Sequence, residues 1–133
     1  MWILCGFRLV SGGEELTTTK KVIRKTISAE SVSKILRTVS ITEAFHFFTD
    51  IGQYDRKSAN SLADFSENLK TVPLKSIEFH FKRGDFERWI RETLGDEYLA
   101  NGIGRIDKSV QGEALRAAIQ RIVASRLYYL KQS

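Results

Sequence analysis

His80 and Asp85 are the pair in this sequence best suited to chemistry. An imidazole oriented by a carboxylate can serve as a general base near neutral pH. A base needs a group to activate, and no nucleophile is identifiable beside this pair. The single cysteine, Cys5, is distant in sequence, and most serines stand where helix starts are expected. The plainer assignment has Asp85 capping a helix and His80 donating a hydrogen bond to a nearby carbonyl or carboxylate. His46 shares the Phe-His-Phe setting of His80. The two histidines with Asp85 or Glu78 would make a zinc set by residue type. Their long separation matches no local metal signature, so no metal, no cofactor and no catalytic residue is assigned.

Two further groups ask for a role. Arg126 falls on the apolar stripe of the last helix. With Leu115 at zero and 100° per residue, Ile119 lies at about 40°, Ile122 at about −20° and Arg126 at about 20°. An arginine on a buried face is paired, snorkels past the end of the core, or meets a partner. For the paired case, the acidic middle segment offers Asp85, Glu92 or Asp96 as counter-ions, and snorkelling is the plainer alternative. Lys20, Lys21, Arg24 and Lys25 form a compact basic patch that could touch nucleic acid or an acidic protein, with a solvated strand face as the default. The aromatics Phe79, Phe81, Phe86, Trp89 and Tyr98 could stack bases, but four of the five fall where amphipathic helices need core residues.

These side chains have to be positioned mostly by helices. Ser28, Ser40-Ile-Thr-Glu43, Ser61, Asp85, Asp96 and Ser109 each read as a helix start, because a short polar side chain can take an unpaired amide of the first turn. Helices are expected over about 29–38, 41–49, 62–71, 86–94, 97–102 and 109–131. Gly95 suits the left-handed position that ends one of them. Segment 76–82 is double-valued. Ile77, Phe79 and Phe81 alternate with polar residues as in a strand, whereas a helix capped by Ser76 puts Ile77 and Phe81 on one face; the helix is favoured. Ser11-Gly12-Gly13-Glu14 between two apolar stretches suggests an N-terminal β-hairpin.

A resemblance supports the helical assignment. Ala44-Phe45-His46-Phe47, Ser61-Leu62…Phe65, Ser76-Ile77…Phe79-His80, Asp85-Phe86…Trp89-Ile90, Gly95-Asp96…Leu99-Ala100 and Gly112-Glu113…Leu115-Arg116 agree in order and spacing with one family. Over residues 41 to about 123 the chain resembles an uncharacterised domain found mainly in archaeal proteins and in some bacterial ones. Many members carry Asn-Asp-Phe where this chain has Gly84-Asp85-Phe86. The resemblance implies that the block is a real unit and brings no activity with it.

Composition bounds the rest. The chain has 133 residues, 42% hydrophobic, and a formal net charge of +5. Residues 1–40 hold seven Lys/Arg against three Glu, residues 41–104 eight against eleven acids, and residues 105–133 six against two. Basic ends around an acidic middle lower the case for a nucleic-acid reader, which concentrates charge on its recognition element. No apolar run approaches a membrane span, and the apolar start is too short for a signal peptide. The expected fold is mainly α: a small orthogonal helical bundle with a long C-terminal helix and a possible N-terminal β-hairpin. A single domain is expected over 1–133, with 1–27 a hairpin or flexible segment and 28–133 a helical core. One cysteine fits a cytoplasmic protein. The expected role is a non-catalytic interaction or regulatory module for a protein partner or small ligand. A nucleic-acid-binding protein using its basic ends comes second, and a hydrolase-like enzyme at His80 and Asp85 third.

Overall fold

The computed structural model describes residues 27–133. The expected N-terminal hairpin and the patch Lys20, Lys21, Arg24 and Lys25 lie outside them. In the described residues six helices accompany one two-stranded antiparallel sheet: α1 (Ala29–Leu36), β1 (Phe45–Asp50), β2 (Gln53–Ala59), α2 (Leu62–Thr71), α3 (Leu74–Arg83), α4 (Asp85–Trp89), α5 (Glu97–Gly104) and α6 (Gly112–Gln132). The chain is mainly α with a long C-terminal helix, as the sequence indicates. A π-helical turn, Ile90–Leu94, follows α4 directly.

Local chemistry accounts for several boundaries. Ser28 Oγ accepts the Ser31 amide ahead of α1, Ser61 Oγ the Asp64 amide ahead of α2, and Asp96 Oδ1 the Leu99 amide ahead of α5. Each side chain satisfies a first-turn amide that the helix itself leaves unpaired. Gly95, at φ +82°, stops the π turn. Segment 76–82 is helical, inside α3, but Ser76 does not start it. Pro73 stands at the cap position, where its missing N–H and fixed φ cost nothing.

Three expected starts are corrected. The Ser40–Glu43 box makes a turn, in which the Ser40 carbonyl accepts the Glu43 amide at 2.9 Å, and the chain then enters β1. The helix expected over 41–49 is therefore absent. Phe45 and Phe47 point into the core on alternate residues while His46 faces the other way, and Ile51-Gly52 closes a hairpin onto β2. Gly52, at φ +74°, supplies the positive φ that such a turn requires. The register slips after Phe47, and Arg56 adopts φ +65° in the bulge. Asp85 is not the cap of α4. Gly84, left-handed at φ +75°, occupies that position and leaves the Asp85 carboxylate free for other partners. Ser109 does not open the last helix either. Its amide and hydroxyl both bond Asp107 Oδ1, and α6 starts at Gly112, whose amide donates to Glu78 Oε2.

The core is aromatic at one end and aliphatic at the other. Phe45, Phe47, Phe65 and Phe86 meet at centroid distances of 4.8 to 6.4 Å, and Trp89 joins them through Phe65 at 5.4 Å. The edge-to-face and tilted geometries are those preferred by ring quadrupoles. Trp89 Nε1 donates to the Glu43 carbonyl, pinning α4 to the approach to β1. Leu115, Ile119, Val123, Leu127 and Leu130 give α6 a buried stripe. Of the five aromatics singled out above, Phe81, Phe86 and Trp89 are buried, Phe79 is half-buried and Tyr98 is 72% exposed. Ser76 is fully buried, and its hydroxyl has no hydrogen-bond partner among the described residues.

Candidate functional site

The hairpin and α3 bring both histidines to one cleft of about 370 Å³, with Phe48, Phe79, Arg83 and Asp85 among its walls. His80 is buried on the last turn of α3. Its Nδ1 lies 2.8 Å from Asp85 Oδ2, and its Nε2 lies 2.8 Å from the Phe48 backbone nitrogen on β1. An amide can only donate, so Nε2 must be the unprotonated acceptor and Nδ1–H the donor to Asp85. That fixes the neutral tautomer. Burial lowers the His80 pKa, and this outweighs the hydrogen bond and charge of Asp85, which pull it upward. For Asp85, burial alone would raise the carboxyl. Hydrogen bonds from His80, Arg83 and Arg88 outweigh it and hold the carboxyl below its ordinary value. Asp85 thus closes a three-way junction: His80 on one oxygen with Arg83 Nε at 3.0 Å, and Arg88 NH1 on the other at 2.9 Å.

His46 is engaged as fully. Its Nε2 donates to the Ile41 carbonyl at 3.1 Å, its Nδ1 lies 2.7 Å from Ser58 Oγ, and that hydroxyl lies 2.6 Å from Tyr54 Oη. Neither imidazole offers a free lone pair to the cleft, and no described residue lining it carries a hydroxyl or thiol. Among the described residues no three of His, Cys, Asp and Glu gather as a metal set would need. The three thus line one cleft, in which His80 ties α3 to β1 and to Asp85 at the start of α4, while His46 bonds only to Ser58 of β2 and to Ile41 just before β1.

Arg126 is elsewhere, at the crossing of α5 and α6. Its Nε reaches Asp96 Oδ2 at 2.8 Å and its NH2 reaches Asp96 Oδ1 at 3.0 Å, a two-point fork. Asp96 is 1% exposed and the Arg126 side chain 11%. Of the counter-ions that the acidic middle segment offers, the structure selects Asp96. The guanidinium also lies 4.6 Å from the ring centre of Tyr98 and 5.4 Å from that of Tyr129. The π turn sets this up. The Asp96 amide donates back to the Ile90 carbonyl, and Arg37 NH2 takes the Thr93 carbonyl at 2.8 Å, so the chain is held as it enters Gly95 and Asp96. Arg126 borders a larger groove of about 920 Å³, to which Arg105 and Arg121 also contribute. Sequence reasoning missed these two arginines. Their signal was available in the excess of base over acid beyond residue 104.

The profile of a family described as of unknown function (DUF5752) matches residues 42–132. The chain belongs to that family. No curated protein and no solved structure matches the chain. The family match takes in the hairpin, the His80–Asp85 junction and the Asp96–Arg126 fork, so both arrangements lie within the family's extent. Among the described residues no helix is long and apolar enough to cross a membrane.

Proposed function

We propose that this chain is a non-catalytic interaction or regulatory module that binds a protein partner or a small ligand, acting as one domain in the cytoplasm. The observation that carries this reading is the Nε2 of His80, the only imidazole atom placed to act as a base beside Asp85, which is occupied by the Phe48 amide. Abstracting a proton there would require breaking this part-buried bond from a strand amide first, which works against the accessibility a general base needs. Groups with completed internal bonds hold a fold together, and the surface is then free for recognition.

The test is a hydrolysis panel of carboxylic-ester, phosphate-ester and peptide substrates on the wild-type chain and on His80→Gln, with circular dichroism as the folding control. No turnover above buffer is expected from either protein. Wild-type turnover that disappears in a folded His80→Gln chain would overturn the reading in favour of an enzyme at His80 and Asp85.

A further inference from the structure

The groove between α5 and α6 has a composition that a mere gap between helices does not need. Tyr98, Gly102 and Arg105 follow at helical spacing on the α5 side, and Arg121, Ser125 and Tyr129 on the α6 side. A Cβ on Gly102 would stand 3.4 Å from Ile122 Cγ2, at the near edge of ordinary van der Waals contact, so the two helices pass close to each other at this point of the groove. Among the described residues that line it, all the cations are arginines and none is acidic. Arg126 is committed to Asp96 underneath. Arg105 and Arg121 are exposed, and neither side chain has a hydrogen bond or ion pair with a described residue. Tyr98 has the Arg126 guanidinium against one face of its ring and is 72% exposed, which leaves the other face to solvent.

We propose that this groove binds the ring-and-phosphate unit of a nucleotide, the phosphate on Arg105 and Arg121 and the flat base on Tyr98. Guanidinium forks match phosphate oxygens two at a time, which a lysine does not do. An aromatic ring backed by a fixed cation is a stacking platform that accepts any base. The groove is of the size that encloses a small ligand. An acidic peptide would engage the arginines but would leave the exposed ring of Tyr98 unused. The unit can come from a free nucleotide or from a single strand, and the two are told apart below. This inference rests on the binding-module reading and names its ligand class.

The experiment is calorimetric titration of the full chain with AMP, adenosine, inorganic phosphate, the hexanucleotide (dA)6 and poly-glutamate. AMP is expected to bind more tightly than adenosine or phosphate alone. Arg121→Gln and Tyr98→Ala should each weaken it about tenfold, the loss of one charge-assisted contact or one stacking partner. Lys75→Ala, an exposed change on α3, should leave it unchanged. A single-strand source is shown if (dA)6 binds at least about tenfold more tightly than AMP and loses affinity steeply with salt; equal affinity per nucleotide shows a free nucleotide. The proposal is overturned if a folded chain binds neither AMP nor (dA)6, or if both variants bind like wild type. It is also overturned if poly-glutamate matches (dA)6 and Tyr98→Ala has no effect. Those outcomes leave the non-catalytic reading standing, since only turnover at His80 removes it.

Discussion

The Asp96–Arg126 fork is a measurable test of how α5 and α6 are joined. Replacing Arg126 by Met keeps the length and apolar stem of the side chain and leaves Asp96, 1% exposed, without its counter-ion. Removing one partner of a buried pair costs about 3–5 kcal/mol. The low end applies here, about 3 kcal/mol, because Arg126 is 11% exposed and Asp96 keeps its bond to the Leu99 amide. Asp96→Asn keeps an oxygen for that amide and removes only the charge. The orphaned guanidinium can turn toward water between its two tyrosines, so the cost should be about 2 kcal/mol. The double variant should lose about 3 kcal/mol rather than the additive total, a coupling of about 2 kcal/mol. For a chain of this size each kcal/mol moves the melting temperature by roughly 3–5 °C, so Arg126→Met should melt about 10 °C early. Urea unfolding of the four proteins, followed by far-UV circular dichroism, gives all the terms of the cycle. Additivity within about 0.5 kcal/mol would show that the fork does not bind the two helices to each other. An Arg126→Met chain as stable as wild type would refute the reasoning outright.

Two other outcomes follow from buried polar groups. His80 has a folded pKa below its ordinary 6.5, so the unfolded chain takes up the proton first as pH falls. Its contribution to stability is complete above pH 6.5 and is lost as pH drops from 6.5 through the lowered folded value. Asp85, held below 3.8, acts only at more acid pH. Wild type should therefore lose more stability than His80→Gln between pH 7.5 and pH 5 in urea titrations, and equal losses would show that His80 is not the titrating group. Ser76→Ala removes a fully buried hydroxyl that has no partner among the described residues and should raise stability by about 1 kcal/mol. A drop of that size on the same assay would mean that the hydroxyl is satisfied.

Legibility in the sequence followed the range of the interaction. Ser28, Ser61 and Asp96 cap helices through bonds to residues three positions on, and Gly95 ends a turn through its own φ, so their neighbours alone define them. Segment 41–49 was misread because Phe-His-Phe-Phe serves helix or strand equally well, and its partner strand is almost wholly polar. Only Ala59 of β2 is buried. The alternation that would have announced a hairpin is missing from one of its two strands. The exposure of Tyr98 was not legible for a related reason. Its place on the α5 spiral is compatible with burial, but it flanks the groove that α6 leaves uncovered.

The sequence by itself determined that the chain is mainly helical, where three of its helices start, and that Arg126 falls on the apolar stripe of the last helix. Those conclusions depend on short-range hydrogen bonding and periodicity, which are written in neighbouring residues. The tertiary structure decided that Arg126 pairs with Asp96, that the Phe48 amide occupies His80 Nε2, and that Arg105 and Arg121 share one groove. Each of these brings together residues from different elements, and a hydrogen bond or ion pair depends on distances that only packing sets.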